Sequence, residues 1–312
     1  MILYLVVPCY NEEEGIEHSA HVLRDYMNLL IKDGVISGGK IVLVNDGSAD
    51  HTEGILEKLH REDTIFSVIS FSRNYGHQYA VMAGYEFSAN KCDVCISIDA
   101  DLQQDIHAIP EFIKKYREGN EIVFGVRNTR DTDGAFKKMS SQMFYKLMKA
   151  FDCNIIPNHA DYRLLSNKAL NALKEYGERT VFLRGMVPSM GFKSEIVYFD
   201  VSERMAGESK YTLKKMMNLA LDGITSYSEA PMRILTGAGF AGVVIGVIGL
   251  IISAILALTH HNVGLWGIAM LGILLTGVVL TSNGIVGFYV LKTYMESKHR
   301  PRYIIDQIKH EE

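Results

Sequence analysis

Val94-Cys95-Ile96-Ser97-Ile98-Asp99-Ala100-Asp101-Leu102-Gln103-Gln104 is a short apolar run that ends in two carboxylates. Such a run, bounded by polar residues, reads as a buried strand. Open α/β sheets bind their ligands just outside the carboxyl ends of parallel strands. Carboxylates at that edge suit Mg²⁺ or Mn²⁺, which one or two acidic groups hold while substrate phosphates complete the shell. Taken alone, the stretch is equally a solvated turn in which Asp101 caps the next helix. Its surroundings decide between the two.

Upstream and downstream, strand-like runs alternate with helical ones. Ile2–Val7, Lys40–Asn45, Ile65–Phe71, Val94–Ile98 and Glu121–Val126 predict five strands. Helices are expected from Asn11-Glu12-Glu13-Glu14 to about Ile31, from Asp50-His51-Thr52-Glu53 to about His60, over Gly76–Ser88 and over Ile109–Arg117. The first two open in capping-box form, and Pro110 fits the first turn of the last. This alternation predicts βαβ units and a mostly parallel sheet, with strands apolar on both faces because helices cover both. From Lys137 the pattern gives a helix, an irregular segment through Asn154–Leu165, another short helix and a strand near Glu195–Phe199.

The composition changes at Arg233. Between Arg233 and Lys292 there is no Asp, Glu, Lys or Arg, and Thr259-His260-His261-Asn262 divides the stretch into Ile234–Leu258 and Val263–Leu291. Each piece exceeds the roughly 20 residues that span a bilayer's hydrocarbon core, which predicts a transmembrane hairpin. Gly242 and Gly246 form a GxxxG step, and further glycines permit close helix packing, including association into a homo-oligomer. Lysines and arginines on both outer flanks place both ends in the cytoplasm, with His260-His261 across the membrane. Leu213, Met216, Met217, Ala220, Leu221 and Ile224 recur at helical spacing. They suit a core helix or an interfacial one, and a position just before a span selects the interfacial reading. The expected organisation is a catalytic domain over 1–210, an interfacial amphipathic helix region over 211–232, a hairpin over 233–292 and a cytoplasmic tail over 293–312. The amino terminus lacks the basic n-region and cleavage site of a signal peptide.

A net charge of −4 and the lack of a basic arm speak against a nucleic-acid partner. The four cysteines include Cys92 and Cys95 in a CxxC, but no second Cys or His pair stands at zinc spacing, so small buried residues are expected.

Polar clusters end each of the five strands: Pro8-Cys9-Tyr10-Asn11-Glu12, Asn45-Asp46-Gly47-Ser48, Ser72-Arg73-Asn74-Tyr75-Gly76, the Asp99/Asp101 pair with Gln103, and Gly125-Val126-Arg127. Each alone is turn chemistry; together they line one edge of one sheet. The first, second and fourth clusters, with Arg204-Met205-Ala206-Gly207-Glu208-Ser209-Lys210-Tyr211, resemble glycosyltransferase family 2. The likeness is to its polyprenyl-phosphate branch of bactoprenol glucosyltransferases and dolichyl-phosphate mannose synthase, and it runs from about Ile2 to Tyr211. One position departs, because Asn45 stands where many relatives carry a second Asp.

The resemblance implies an α/β fold of GT-A type, a nucleotide-sugar donor, a polyprenyl phosphate acceptor and Mg²⁺ or Mn²⁺. It assigns Pro8, Tyr10, Glu12, Asp46 and Asp99 to the nucleotide, and Asp99, Asp101 and Gln103 to the metal and diphosphate. His159-Ala160-Asp161-Tyr162-Arg163-Leu164 resembles the family's Asp-Phe-Arg-Leu element near the site of sugar attack. Asp161, Asp101, Arg127 and Arg163 are therefore the expected catalytic group, and Arg204, Ser209 and Lys210 the acceptor-phosphate group. A phosphate monoester, with a second pKa of about 6, is already a charged nucleophile at neutral pH. It needs cations to position it more than it needs a base, and arginines suit that role. In-line attack with inversion is expected, with Asp161 orienting sugar or cation. Glucose is the first expectation for the sugar; N-acetylglucosamine and mannose stay open. A processive polysaccharide synthase would carry a Gln-x-x-Arg-Trp element, but the one tryptophan, Trp266, lies inside the second span. An idle nucleotide-binding scaffold would be expected to lack one of the carboxylates or cations, all of which are present.

Overall fold

The computed structural model describes residues 1–128, 159–200 and 265–311, with helical positions at 232, 234–242, 244, 248 and 251. In chain order the elements are β1 Ile2–Cys9, α1 Ile16–Lys32, β2 Gly38–Asn45, α2 Thr52–Glu62, β3 Phe66–Phe71, α3 His77–Ser88, β4 Val94–Ser97, a 3₁₀ turn Ile106–Ala108, α4 Ile109–Arg117 and β5 Ile122–Arg127. Beyond residue 158 follow β6 His159–Ser166, α5 Asn167–Lys174, α6 Leu183–Ser189, β7 Ser194–Phe199, α7 Leu265–Ser297 and β8 Ile305–Lys309. They build one eight-stranded sheet in the order β7-β5-β6-β4-β1-β2-β3-β8.

Helices cover both faces of the sheet, as the doubly apolar strands require. Along β1, Leu3, Leu5 and Val7 enter one core with Leu23, Met27, Leu56 and Phe112. The alternate residues Tyr4 and Val6 enter the other with Ala80, Met82, Phe124 and Leu165. Gly84 on α3 makes the second interface tight, because a Cβ there would stand 2.2 Å from Val6.

Four pairings are parallel, β1 with β2, β1 with β4, β2 with β3 and β5 with β7. Three are antiparallel, β3 with β8 at the far edge and two that lie at the site. The stretch Asn154–Leu165, expected to be irregular, contains from His159 onward a buried strand antiparallel to both β4 and β5. Its sequence alternates with period two, His159, Asp161 and Arg163 against Ala160, Tyr162 and Leu164. Both rows are buried, so the polar row hid a strand that an apolar pattern would have revealed.

The capping boxes also form differently. Neither α1 nor α2 has a side-chain hydrogen bond from its N-cap residue. Instead the two loops brace each other. Glu13 accepts from the backbone N–H of His51 at 2.9 Å, and Asp50 accepts from that of Glu13 at 3.3 Å and of Thr52 at 3.1 Å.

Among the described residues one stretch, Leu275–Ser297 of α7, is long and apolar enough to cross a bilayer, and none of it is buried against the protein. About half of the first expected span and nearly all of the interfacial region lie outside the described residues, so the hairpin is not established by this structure. The chain after α7 does more than trail away. Residues 305–309 return to the sheet as β8, antiparallel to β3, and cover what would otherwise be its open edge.

Candidate active site

The parallel strands deliver their carboxyl ends to one edge, and the antiparallel β6 delivers its amino end to the same edge. Ser97 pairs with Arg163 in the β4–β6 register, and Val126 pairs with His159. Asp161 therefore lies near the Asp99–Asp101 turn although the two are far apart in sequence.

Three loops at this edge pass through left-handed backbone. Asn11 has φ +52°, Gly47 +61° and Leu102 +49°. For leucine this is a strained conformation, held here by burial of its side chain in the core. At Gly47 a Cβ would stand 2.2 Å from the Arg73 carbonyl carbon and 2.6 Å from the Asn74 nitrogen. Only glycine lets the loops after β2 and β3 meet. Gly47→Ala is expected to destabilise the domain by about 1–3 kcal/mol and to weaken nucleotide binding at least tenfold. Thermal unfolding and a binding titration on the purified variant check both; native values would mean the two loops can part freely.

Asp46 is the hub of that meeting. It is 2% exposed. Its carboxylate accepts from the backbone of Tyr75 at 2.7 Å, the backbone of Gly76 at 2.9 Å and the Asn74 amide at 3.0 Å. Burial raises this carboxyl's pKa more than these donors lower it. Asp46 thus shapes the loop over residues 72–76. Pro8 is buried in β1, Glu12 is half-buried and Tyr10 stands 38% exposed beside them. Glu12 donates its backbone N–H to Thr52 at 2.9 Å, and Asn11 donates to Ser48 at 3.0 Å.

The two carboxylates that end β4 have different surroundings. Both oxygens of Asp99 are engaged, Oδ1 with His77 Nε2 at 2.9 Å and Oδ2 with the Gln104 amide at 2.5 Å. Gln104, 1% exposed, also accepts from the Asp99 backbone at 2.7 Å. Burial would push the His77 pKa down, but the hydrogen bond and charge of Asp99, with Asp161 behind it, leave it raised. Asp101 is half-buried and accepts from the backbone of Gln103 at 3.2 Å.

Asp161 forms the second centre. Fully buried Arg163 binds one of its oxygens, and Arg184 binds the other at 3.0 Å. Burial pushes the Asp161 carboxyl up, but Arg184, Arg163 and His77 together hold it far below the carboxylate range. Arg163 is fixed by its bond to the Leu183 carbonyl at 3.1 Å, and the Asp161 carbonyl by Ser97 at 2.7 Å. His159 lies beyond them, buried, with neither ring nitrogen hydrogen-bonded. Burial and the two guanidiniums keep it well below its ordinary pKa, so it is neutral.

The structure thus brings Pro8, Tyr10, Glu12, Asp46, Asp99, Asp101, Gln103, Arg127, Asp161 and Arg163 to one sheet edge. Arg204, Ser209 and Lys210 lie outside the described residues. Sequence reasoning missed His77, Gln104 and Arg184. The first two adjoin quoted motifs, one residue past Gly76 and one past Gln103, so motif proximity could have found them. Arg184 sits in a seven-residue helix with no local signal. Cys9, Cys92 and Cys95 are buried as expected, burial pushes the Cys92 thiol up to about 12, and Cys153 lies outside the described residues.

The donor set fits a hard divalent cation supplied jointly by protein and substrate. Asp101 and Gln103 offer a carboxylate and an amide oxygen, and no cluster of three His, Cys, Asp or Glu that could hold a metal alone occurs among the described residues.

A sheet edge of this kind, with carboxylates after β4 and a basic–acidic cluster on an antiparallel neighbour, defines a GT-A-like α/β fold. The glycosyl transferase family 2 profile matches residues 4–174, more than half of the chain. The chain belongs to that family and is a glycosyltransferase. An uncharacterized glycosyltransferase of Bacillus subtilis, YkoT, is 41% identical over 307 residues, covering 98% of this chain and 91% of its own. The prophage bactoprenol glucosyl transferase homolog of Escherichia coli is 36% identical over 318 residues, covering 99% and 100%. The bactoprenol glucosyl transferase of Shigella phage SfV is 36% identical over 315 residues, covering 99% of each. Among solved structures, the mannosyltransferase PcManGT from Pyrobaculum calidifontis aligns at TM-score 0.47 and 15% identity, covering 96% of this chain and 84% of its own.

Proposed function

We propose that this protein transfers a single hexose, glucose from UDP-glucose, to the phosphate of polyprenyl phosphate at the cytoplasmic face of the cell membrane, with inversion at the anomeric carbon. End-to-end similarity to proteins named bactoprenol glucosyl transferase supports the acceptor and the sugar. The observation that carries the mechanism is the Asp161 clamp. A carboxylate held far below its ordinary pKa by two guanidiniums is a weak proton acceptor. It suits an acceptor that arrives already ionised and would serve a sugar hydroxyl badly. Asp161 therefore orients the sugar and fixes Arg184 and Arg163, while Arg127, Arg204, Ser209 and Lys210 receive the acceptor phosphate.

Asp101 and Gln103 would hold Mg²⁺ or Mn²⁺ against the donor diphosphate. The ion, when bound, offsets charge growing on the departing nucleotide. Asp99, mounted on His77 and Gln104, stiffens that turn. Pro8, Tyr10, Glu12 and the loop organised by Asp46 form the nucleoside cradle. The apolar segments over 233–292 anchor the domain, and the region over 211–232 lies along the membrane surface so that the site meets the lipid headgroup.

The test is purified full-length protein with UDP-glucose, UDP-N-acetylglucosamine or GDP-mannose, a short polyprenyl phosphate, and Mg²⁺ or Mn²⁺. Glucosyl phospholipid with inverted anomeric configuration is the expected product. Retention of configuration, or transfer that proceeds only to a sugar hydroxyl, would overturn the mechanism.

A further inference from the structure

The segment that leads from the long apolar helix into β8 contacts the loop that Asp46 organises. We propose that Tyr303 is a positioning residue for the donor nucleotide, acting through Phe71 and the loop over residues 72–76. This rests on the nucleotide-sugar reading above and extends it to a segment that no sequence motif marks.

Tyr303 stacks on Phe71, with ring centroids 4.8 Å apart and planes 19° from parallel. Phe71 meets the Tyr75 ring edge-on at 5.6 Å. The backbone N–H of Tyr75 is the shortest of the three donors on Asp46, at 2.7 Å. The Ile304 carbonyl accepts from the backbone of Ser72 at 3.1 Å, which fixes the start of the same loop. Three consecutive links therefore lead from Tyr303 to the buried carboxylate, and stacked aromatic rings favour such defined geometry.

Tyr303 is itself firmly mounted. Its hydroxyl bonds Glu86 on α3, whose other oxygen takes Arg302 at 2.7 Å. Arg302 also donates to the Glu178 carbonyl at 2.7 Å. Near the end of α7, Glu296 accepts from the backbone of Arg179 at 2.9 Å. The loop carrying Glu178 and Arg179 leads into α6 and Arg184. One short segment thus braces the nucleotide loop on one side and the approach to the Asp161 clamp on the other. The far end of β8 is tied to other elements: Lys309 pairs with Glu57 on α2, and His310, just past the strand, bonds Ser67 at 2.8 Å.

That difference supplies the control. Full-length protein carrying Tyr303→Ala, Tyr303→Phe or Lys309→Ala is titrated with UDP and with GDP, and the apparent KM of donor and lipid acceptor are measured separately. Tyr303→Ala should weaken nucleotide binding and raise donor KM about tenfold, with acceptor KM within twofold of native. Tyr303→Phe keeps the stack and should lose no more than threefold; Lys309→Ala should bind nucleotide as the native protein does. Should Tyr303→Ala not fold, Tyr303→Leu keeps apolar bulk without the stack and carries the same expectations. Nucleotide binding within twofold of native in the stack-deleted variant overturns the proposal. So do equal losses at Tyr303 and Lys309, which would make β8 a merely structural edge. Native protein that transfers no hexose from any donor would instead defeat the functional reading.

Discussion

Asp161→Asn should lower turnover about 10²–10³-fold while leaving nucleotide affinity within a few-fold of native. The change is isosteric, so packing volume is retained, while the charge is lost and one of the two acceptor oxygens becomes an NH2 donor facing a guanidinium. Two guanidiniums converge on this carboxylate, and one of them, Arg163, is fully buried. Removing one partner of a buried ion pair typically costs about 3–5 kcal/mol, because the remaining charge has no water to return to. Arg184 retains 20% side-chain exposure and can rehydrate in part. Arg184→Gln should therefore destabilise less than Asp161→Asn. The pH dependence has a definite sign. The folded-state pKa of Asp161 is depressed, so its stabilisation is complete above the unfolded carboxylate value of about 3.9 and is lost as pH falls from there toward the folded value. The gap in unfolding temperature between native protein and Asp161→Asn should be widest near neutral pH and narrow only in strong acid. A gap that closed already between pH 7 and 5 would mean the carboxylate is not held as the geometry requires.

The sheet's left and central strands were legible because burial on both faces left continuous apolar runs, as in β1, β2 and β3. The ligand edge was legible for a related reason: each run stops abruptly in polar residues, and five such stops on one sheet are hard to obtain otherwise. Two elements were hidden by the same physics reversed. In β6 the buried row that carries Asp161 and Arg163 is polar, so hydrophobic periodicity was silent where the chemistry is densest. In β8 the strand Ile305–Lys309 is mostly exposed and contains Asp306, Gln307 and Lys309. It pairs with β3 through backbone hydrogen bonds, with Tyr303 stacked on Phe71 just before it, and no local pattern declares either. The roles of neighbouring site residues divide likewise. Asp46, which motif reasoning assigns to the nucleotide, accepts from three donors of the loop over residues 72–76, a structural task that the motif did not announce.

The largest effect on the metal should come from Asp101, not from Asp99. Asp99 has one oxygen on His77 and the other on Gln104, and Gln104 is buried with its own carbonyl committed to the Asp99 backbone. Asp101 is half-buried beside a left-handed Leu102 and accepts from the Gln103 backbone at 3.2 Å. A hard cation bridging protein and diphosphate needs a carboxylate that can turn toward it without dismantling a buried network. Asp101→Asn should thus abolish the UDP-dependent binding of Mn²⁺, read by electron paramagnetic resonance or calorimetry, and cut turnover about 10²–10³-fold. Asp99→Asn should retain Mn²⁺ binding within several-fold, since an asparagine can still accept from His77, and should instead lower thermal stability as the Gln104 contact is lost. His77→Ala should resemble Asp99→Asn in this respect, weakening the mount without removing a ligand. If Asp99→Asn eliminated Mn²⁺ binding while Asp101→Asn preserved it, the division of labour would be reversed, and the His77–Asp99–Gln104 network would have to open whenever donor binds.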